Sequence, residues 1–226
     1  MKALATKVGA RKIRPDGERS RTAILDAAEY LFSFGGLAGV SIRQITKLAN
    51  TDLASVNYHF KSKENLFQDV LARRVDAMSR ERLRRLDAFQ ESGDSYNDVK
   101  DLLQMFVAPL FGVDEKECAD LANYRRLVAL VTNSKAWQDA VFKKFYDPTA
   151  KAYIDRLSSL LPGVPRASIY WTFTFFLGAL TASMAETGRV DRLSDGACES
   201  SNLVAMQEEL LKFATGGLVM QYQRNI

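Results

Sequence analysis

The chain has 226 residues, of which 47% are hydrophobic and 26% are charged, and only 5 are prolines. This composition is typical of a globular chain with a sizeable core in one or two domains, and it excludes intrinsic disorder, collagen-like repeats and disulfide-stapled mini-domains. No window holds the ~18 uncharged apolar residues of a membrane span, and the basic N-terminus lacks the apolar core of a secretory signal. Because Cys118 and Cys198 form no disulfide framework, we predict a soluble cytoplasmic protein with free thiols and no membrane partner.

The single histidine, His59, restricts the metal and catalytic chemistry of the chain. It excludes a His-rich metal site, and the sequence lacks the close ligand pairs of structural zinc. The motifs G-x-S-x-G, G-x-x-x-x-G-K-[ST] and G-x-G-x-x-G are also absent. We therefore predict no metal site, no cofactor and no catalytic residues, although carboxylate-based enzymes leave only weak local signatures.

Positive charge is concentrated at the N-terminal end. Residues 1–63 hold 11 Lys and Arg against 5 Asp and Glu, a net of +6, whereas residues 64–226 hold 20 against 22, a net of −2. Such asymmetry indicates that one end of the protein contacts a polyanion. Residues 1–17 are predicted to form a basic flexible arm, which taken alone also fits a merely solvated tail.

Helical periodicity dominates the sequence, and no stretch has the convincing alternating pattern of a strand. We predict helices at Glu18–Phe34, ending at Gly35-Gly36; at 42–49; at Leu53–His59; from Lys63 towards Glu91; from Ser95 to Pro109; at Glu115–Asn133; at Lys135–Leu161, divided at Pro148; at Arg166–Thr187; and at Asn202–Tyr222. The predicted starts are marked by capping residues: Ser41 with Gln44, Asp52, Ser62, and Ser95 with Asp98. The fold is therefore expected to be all-α, with about nine helices.

Residues 41–60 form a helix, a tight turn and a second helix, joined by the apolar positions Ile45, Ala49, Leu53 and Val56. This is the helix-turn-helix pattern, whose second helix lies in the DNA major groove while the first crosses the backbone. The predicted DNA contacts are short hydrogen-bonding side chains, one small residue and phosphate-binding residues at helix starts: Ser41, Arg43, Thr51, Ala54, Ser55, Asn57, Tyr58, His59 and Lys63. An alternative for His59 is packing beside Phe60.

Two runs of residues carry a family resemblance: Val40-Ser41-Ile42-Arg43-Gln44-Ile45 and Tyr58-His59-Phe60-Lys61-Ser62-Lys63-Glu64-Asn65-Leu66-Phe67. They strongly resemble the N-terminal DNA-binding domain of the TetR family of bacterial repressors, over roughly residues 18–80. The resemblance implies a homodimeric, ligand-responsive repressor of palindromic operator DNA. It also implies a DNA-binding domain at 18–80, with the helix-turn-helix at about 41–60, and a ligand-binding and dimerisation domain at 81–226.

The sequence departs from the family pattern at two positions. Asn50-Thr51 replaces the usual Gly-Val of the turn, and Asn can adopt the left-handed conformation that Gly normally supplies. Asn57 stands where the family commonly has tyrosine, so it either reads a base or braces the helix. The Val-Asn-Tyr-His-Phe sequence resembles a branch that includes regulators of fatty-acid, acyl-thioester and aromatic catabolism.

Aromatic residues are concentrated in the body, where the resemblance implies a ligand pocket. An aromatic stripe at helical spacing is also what an ordinary core shows. The predicted ligand-binding residues are Phe106, Phe111, Tyr124, Arg125, Arg126, Trp137, Phe142, Tyr146, Trp171 and Phe175. Of these, Arg125 and Arg126 would anchor an anionic ligand, with a solvated surface position as the alternative. The expected effector is a compact aromatic acid or an acyl chain, the latter free or as a CoA thioester.

The two long C-terminal helices are more apolar than a monomer tolerates. The helix at Arg166–Thr187 is apolar on nearly all sides, so we expect it to be buried all round. Together with the helix at Asn202–Tyr222 it is predicted to form a two-fold four-helix interface, with Gly217 allowing close approach. The helix that begins at Ser62 is predicted to be the only rigid element joining DNA domain and body.

Two other functional classes stay open. One is a helical enzyme whose basic end binds a phosphorylated substrate, and the other is a DNA-binding or interaction module without a small ligand. The motif at residues 41–67 argues against the enzyme. The large aromatic body argues against the ligand-free module, because dimerisation alone needs fewer residues.

Overall fold

A computed structural model of the chain describes residues 15–132 and 134–223. Over that part of the chain the fold is all-α, with nine helices of seven or more residues and no strand, as predicted. The helices are α1 (Pro15–Gly39), α2 (Ile42–Leu48), α3 (Leu53–Phe60), α4 (Lys63–Asp87), α5 (Ser95–Val107), α6 (Glu115–Asp120), α7 (Ala122–Val131), α8 (Lys135–Trp137), α9 (Asp147–Leu160), α10 (Arg166–Met184), α11 (Arg189–Leu193) and α12 (Leu203–Gln223). A 3-10 turn, Ala108–Leu110, follows α5, and a π-helical segment, Gln138–Tyr146, joins α8 to α9. Of the predicted basic arm, residues 15–17 belong to α1, and residues 1–14 lie outside the described residues.

Side-chain caps start the short helices where the sequence predicts them. The hydroxyl of Ser41 accepts from the backbone N–H of Gln44, whose side-chain oxygen accepts from the backbone N–H of Ser41. Asp52 and Ser62 each accept a backbone N–H from the first turn of α3 and α4. Between α2 and α3, Asn50 has a φ of 50°, the left-handed conformation expected of the turn. These local predictions are confirmed.

The segment before α5 differs from the prediction. Asp94, not Ser95, caps the helix by accepting two backbone N–H groups. Asp98 is buried and turns back onto the preceding loop, where it accepts the backbone N–H groups of Ser92 and Gly93. Burial raises the pKa of Asp98, but these hydrogen bonds outweigh it and bring the pKa below its usual value.

Three predicted helix boundaries can be compared with the structure. Gly36, with a φ of 61°, kinks α1 at the predicted Gly-Gly stop, and the helix resumes for three residues. The predicted helix at 115–133 is divided at Leu121, and Asn133 lies outside the described residues. Pro148 lies in the first turn of α9, where the missing N–H is tolerated, so it divides the segment as predicted.

Helices α1, α2 and α3 pack around a small apolar core. Phe32, Ile45, Val56 and Phe60 are buried there, and the inner faces of α2 and α3 are held against α1. Leu53, which was expected on the inner face, is 46% exposed, because it begins α3 beside the turn instead of facing α1. That expectation is wrong for this one position.

Two helices connect the N-terminal helices to the body. Helix α4 packs against α1 at its start and against α5 and α9 further on, and α1 itself packs along α7. The α1–α7 contact includes a 3.3 Å hydrogen bond from Ser33 Oγ to Asn123 Oδ1, and the guanidinium of Arg126 lies 5.2 Å from the ring centre of Phe34. The expectation that α4 is the only rigid connection is therefore wrong.

Helix α10 has one buried and one exposed face. Phe173 and Phe176 are 1% exposed, whereas Trp171 and Phe175 are 63% and 59% exposed. The expectation that this helix is buried all round is wrong within a single chain, because no neighbouring helix of the described residues covers that face. Within residues 15–132 and 134–223, no helix is long and apolar enough to cross a membrane.

Candidate DNA-binding interface and effector region

The predicted DNA contacts all lie on α2, on α3 or at the helix starts and turns beside them. Exposed members are Ser41, Arg43, Ala54, Asn57 and Tyr58, and half-buried members are Thr51, Ser55, His59 and Lys63. Since the opposite faces of α2 and α3 are closed by their core, these side chains form the outer surface of the pair. The arrangement can present polar groups to a groove while the helices stay fixed.

Tyr58 and His59 occupy different environments on α3. The Tyr58 side chain is 56% exposed. The His59 ring lies edge-on to Tyr58 at 5.0 Å between ring centres and 5.9 Å from the ring of Phe60. His59 therefore has the packing contacts of its alternative interpretation, and Tyr58 is the freer of the two rings for an outside partner.

Lys63 has a role within the fold that its sequence position does not indicate. Its Nζ donates a 3.0 Å hydrogen bond to the carbonyl oxygen of Val40, just before α2. An ammonium has three donors, so two remain for other acceptors such as phosphate oxygens. Lys61, which is not among the predicted DNA contacts, is exposed and caps the C-terminal end of α3 with a φ of 69°. Its basic side chain directly after the predicted second helix of the helix-turn-helix is the sequence signal that could have identified it.

A cluster of charged residues fixes α1 to α4, and we call it the α1–α4 clamp. Glu29, 3% exposed, accepts from Arg73 at 2.5 Å and from Arg74 at 3.0 Å. Arg73 also pairs with Asp26, and Arg74 donates to the carbonyl oxygen of Asp120 at the end of α6. The clamp links the N-terminal helices to both α4 and the body.

Five aromatic residues of the body form two contacting groups, which we together call the aromatic cluster: Tyr124, Phe142 and Tyr146 in one, and Phe106 and Tyr153 in the other. The hydroxyl oxygens of Tyr124 and Tyr146 are 2.8 Å apart, Phe142 stacks on Tyr146, and Phe106 lies edge-on to Tyr153. Burial of the two hydroxyl groups raises the pKa of Tyr146 and of Tyr153 to about 12. Tyr153 is not among the ligand-binding residues predicted from the sequence.

The structure separates the other predicted aromatic residues from the aromatic cluster. Phe111 is buried beneath the guanidinium of Arg125, and the ring of Trp137 packs on Phe67 of α4 at 4.6 Å. Trp171 and Phe175 stack on each other on the outer face of α10. The expectation that these two share one pocket with the buried aromatic residues is wrong within one chain, because they project from the opposite side of α10.

Both predicted anion anchors already have protein partners. Arg125 is 2% exposed, and its Nη1 donates to the carbonyl oxygens of Leu110 and Cys118. Arg126 pairs with Glu186 at 3.1 Å. Arg125 is therefore neither a free anion anchor nor the solvated surface residue of the alternative, and the Arg126 guanidinium is engaged by Glu186.

Two clefts lie beside these groups. One, of about 610 Å³, lies between α1, α4 and the segment 108–121, and it is bordered by Met78, Arg85 and Pro109. The other, of about 1090 Å³, lies between α10, α11 and α12 and includes the exposed Phe213. The first cleft borders the α1–α4 clamp, and the second borders the exposed apolar face of α10 and α12.

Comparison with protein families gives two matches that follow one another along the chain. Residues 24–70 match the family described as bacterial regulatory proteins, tetR family. Residues 104–217 match the family described as tetracyclin repressor-like, C-terminal domain. The first match contains α2, α3 and the predicted DNA contacts, and the second contains all five residues of the aromatic cluster.

Individual relatives resemble the chain at different levels. The HTH-type transcriptional regulator AcrR of Shigella flexneri is 36% identical over 61 residues, which are 27% of this chain and 28% of that protein. The matched region thus spans little more than a quarter of that relative. A transcriptional regulator from Rhodococcus sp. Rha1 is 21% identical with a TM-score of 0.54, over 92% of this chain and 96% of its own. The fatty acid degradation regulator FadR from Bacillus halodurans is 17% identical with a TM-score of 0.53, over 92% and 98%. At these identities the two structures show a common fold.

Proposed function

The chain belongs to the TetR family of bacterial regulatory proteins, and we propose that it is a repressor that a small apolar carboxylic acid or acyl compound releases from operator DNA. One observation carries the proposal: a closed helix pair, α2–α3, holds its polar face outward within the family-matched residues 24–70. Regulators of this family are generally non-enzymatic DNA-binding proteins. We assign DNA binding to residues 18–80 and effector binding and dimerisation to residues 81–226.

DNA recognition is assigned to α3 in the major groove. Ser55, Asn57 and Tyr58 would meet base edges, with Ala54 allowing close approach, because such side chains carry direct readout. Ser41, Arg43, Thr51, His59 and Lys63 would meet the phosphate backbone around them, and we add Lys61 to that set. The net charge of +6 over residues 1–63 supports this orientation.

Dimerisation is assigned to the exposed faces of α10 and α12. Trp171, Phe175, Phe213 and Met220 are each 59–68% exposed on these two helices, and soluble monomers rarely expose a large contiguous apolar patch. A Cβ at Gly217 would lie 3.7 Å from Thr172 of α10. The absence of a side chain at Gly217 therefore leaves room for a neighbouring helix to approach closely. A second copy of the chain would cover this face by two-fold symmetry, which also matches a palindromic operator.

Effector binding is assigned to the aromatic cluster instead of the wider set expected from sequence. Its Tyr124 lies on α7, which packs along α1, and Trp137 contacts α4 through Phe67. A ligand that moved α7 or the segment after Trp137 would therefore shift α1 and α4 together. Since both recognition helices must match the operator spacing, a displacement of a few Å prevents simultaneous binding.

The test is fluorescence anisotropy with DNA fragments from both sides of the gene. We expect one fragment to bind the dimer at least about a thousandfold more tightly than scrambled DNA at physiological salt. The protected site should have two-fold symmetry, with half-sites roughly one helical turn, about 34–36 Å, or a multiple apart. Equal binding of all fragments and scrambled DNA would contradict the proposal.

A further inference from the structure

Two arginines of the body, Arg82 and Arg125, are buried without a carboxylate partner among the described residues, and Arg82 is the one that contacts the aromatic cluster. Arg82, on α4, is 4% exposed, and its Nε donates a 2.6 Å hydrogen bond to the carbonyl oxygen of Phe106. Its guanidinium carbon lies 4.1 Å from the centre of the Phe106 ring. Tyr153 donates to the backbone carbonyl oxygen of Arg82 at 2.9 Å, so the residue lies inside the aromatic cluster. No carboxylate of the described residues pairs with it.

The neighbouring arginines of α4 show how unusual this is. Arg73 and Arg74 pair with Glu29, and Arg84 and Arg85 pair with Glu81, although all four are more exposed than Arg82. A guanidinium has five N–H donors, and leaving a buried charge unpaired is costly. Burial accordingly lowers the pKa of the Arg82 guanidinium from its ordinary value. Within the described part of the chain, only Nε of Arg82 has a protein acceptor, so the guanidinium has further N–H donors that an anionic ligand would satisfy.

We propose that Arg82 binds the carboxylate of the effector, whose apolar body contacts Phe106, Tyr124 and Tyr146. This inference rests on the proposed function, because it specifies the ligand of the regulator's effector region. A carboxylate accepts two parallel N–H bonds from one guanidinium, which gives both charge neutralisation and a fixed orientation. The hydroxyls of Tyr124 and Tyr146 are 2.8 Å apart and bond to each other, which leaves one O–H of the pair to donate to the ligand.

A cleft lies close to Arg82 along α4. Met78 and Arg85, one turn before and after it on α4, border the cleft of about 610 Å³, and Pro109 lies three residues after its ring partner Phe106. The π-helical segment, which ends at Tyr146, contributes Phe142 and Tyr146 to the aromatic cluster. π-helical turns are rare and frequently mark functional sites. Arg82 and the aromatic cluster do not border the cleft, so the proposed ligand would reach them by displacing side chains between the cleft and this segment.

A carboxylate-binding role for Arg82 also restricts the chemical class of the ligand. A free aromatic or aliphatic acid ends in the carboxylate that a buried guanidinium requires. The acyl end of a CoA thioester is uncharged, and its charges lie on phosphates at the bulky opposite end. The site therefore favours the free acid over the thioester. Since Arg82 belongs to α4, the ligand would act directly on a helix that reaches the DNA-binding helices.

The test is isothermal titration calorimetry on the full chain with four probes: octanoate, phenylacetate, octanamide and phenylacetamide. We expect at least one acid to bind about tenfold to one-hundredfold more tightly than its amide, the range for a hydrogen bond to a charged group. Which acid binds distinguishes an acyl from an aromatic body. Arg82→Met should bring the acid-to-amide ratio near one while amide binding persists. Arg84→Met, the same change at an exposed arginine that pairs with Glu81 and does not border the cleft, should leave the ratio unchanged.

Folding and DNA binding are measured alongside. Arg82→Met removes a buried charge but also the hydrogen bond to Phe106, so its melting temperature without ligand is compared with that of the wild type to establish that it folds. If it fails to fold, Arg82→Lys replaces it, and we expect the ratio to fall because lysine lacks the bidentate fork. The inference is overturned if the wild type binds neither acid, binds acid and amide equally, or keeps its ratio in the Arg82 variants. A protein with the expected ratio but no operator binding would contradict the proposed function and leave the anion site standing.

Discussion

The ammonium of Lys63 donates to the carbonyl oxygen of Val40 at 3.0 Å, so the first residue of α4 holds the residue just before the α2 cap. A side chain that the sequence assigns to phosphate binding thus also fixes the position of the helix-turn-helix. Replacing Lys63 should therefore change both the affinity for DNA and the stability of the contact that positions the helix-turn-helix.

Lys63→Met should weaken binding to operator and scrambled DNA by a similar factor, because a phosphate contact carries no sequence information. Losing one such contact should also reduce the slope of log K against log salt by about 0.9. The free energy of unfolding should fall by about 0.5–1.5 kcal/mol through loss of the hydrogen bond to Val40. Anisotropy titrations at several salt concentrations and urea denaturation measure the two effects. Lys61→Met is the control, for which we expect the change in salt slope without the loss of stability.

Tyr58→Phe and Ser55→Ala should change which operators are preferred. Because these side chains are assigned to base edges, each replacement should cost about 1–3 kcal/mol on the natural operator and much less on sequences altered at the contacted base pair. A library of operators with single base-pair changes, measured by anisotropy, reports the preference. An equal loss on all members of the library would place these side chains on the phosphate backbone instead.

Glu29→Gln should destabilise the protein through the α1–α4 clamp. One buried carboxylate holds both Arg73 and Arg74, so its replacement should lower the free energy of unfolding by about 1–3 kcal/mol. Glu81→Gln is the matched control, since Glu81 also holds two arginines but on the surface, and a much smaller loss is expected. Urea denaturation at neutral pH compares the two. An equal loss in both variants would contradict the role assigned to the clamp.

The Glu81 interactions should also respond to acid. Hydrogen bonds from Arg84 and Arg85 lower the pKa of Glu81 to about 2 from an ordinary value of 4.5. A lowered carboxylate pKa means that its stabilising contribution is fully present above pH 4.5 and is lost as the pH falls towards 2. The difference in stability between wild type and Glu81→Gln should therefore shrink over this range. A difference that stays constant between pH 5 and pH 3 would show that the charge of Glu81 contributes nothing.

Gly217→Arg should yield monomers that no longer bind the operator tightly. The position is exposed on α12 and lies beside α10, so a large charged side chain there would separate the two faces assigned to dimerisation. Sedimentation velocity at micromolar concentration and anisotropy report the two losses together. Val113→Arg places the same side chain on an 84% exposed apolar residue far along the chain, and it should stay dimeric. A monomeric wild type at this concentration would refute the assigned interface.

Local features of the fold were predictable because their causes lie within a few residues. The capping box at Ser41, the N-cap at Asp52 and the left-handed Asn50 each follow from the chemistry of one short segment. Asp98 was misassigned because its partners are the loop N–H groups behind it. The Ser95-x-x-Asp98 spacing fits a capping box, but Asp94, one residue earlier, is an equally good capping residue, and the local pattern does not choose between Asp94 and Ser95.

Features that depend on packing between distant segments were only partly predictable. Arg82 continues the spacing of the buried Leu71, Val75 and Met78 on α4, so the pattern contained a signal that the surrounding charged residues obscured. At Trp171, by contrast, the sequence pattern contains no signal for exposure. Its helix α10 is apolar on all sides, and sequence periodicity cannot tell a face covered by the same chain from a face left for another.

The two tryptophans provide the last prediction, since the sequence assigns both to one pocket and the structure separates them. Trp137→Leu removes the ring that packs on Phe67 of α4, so it should leave operator affinity within about threefold but abolish release by whichever of octanoate and phenylacetate binds the wild type. Trp171→Leu alters only the outer face of α10 and should keep that release, with any defect appearing as a weaker dimer. Operator release measured by anisotropy, with sedimentation for assembly, distinguishes the variants. If Trp171→Leu loses release while staying dimeric, the effector contacts the outer face of α10 and the aromatic cluster is not the binding region.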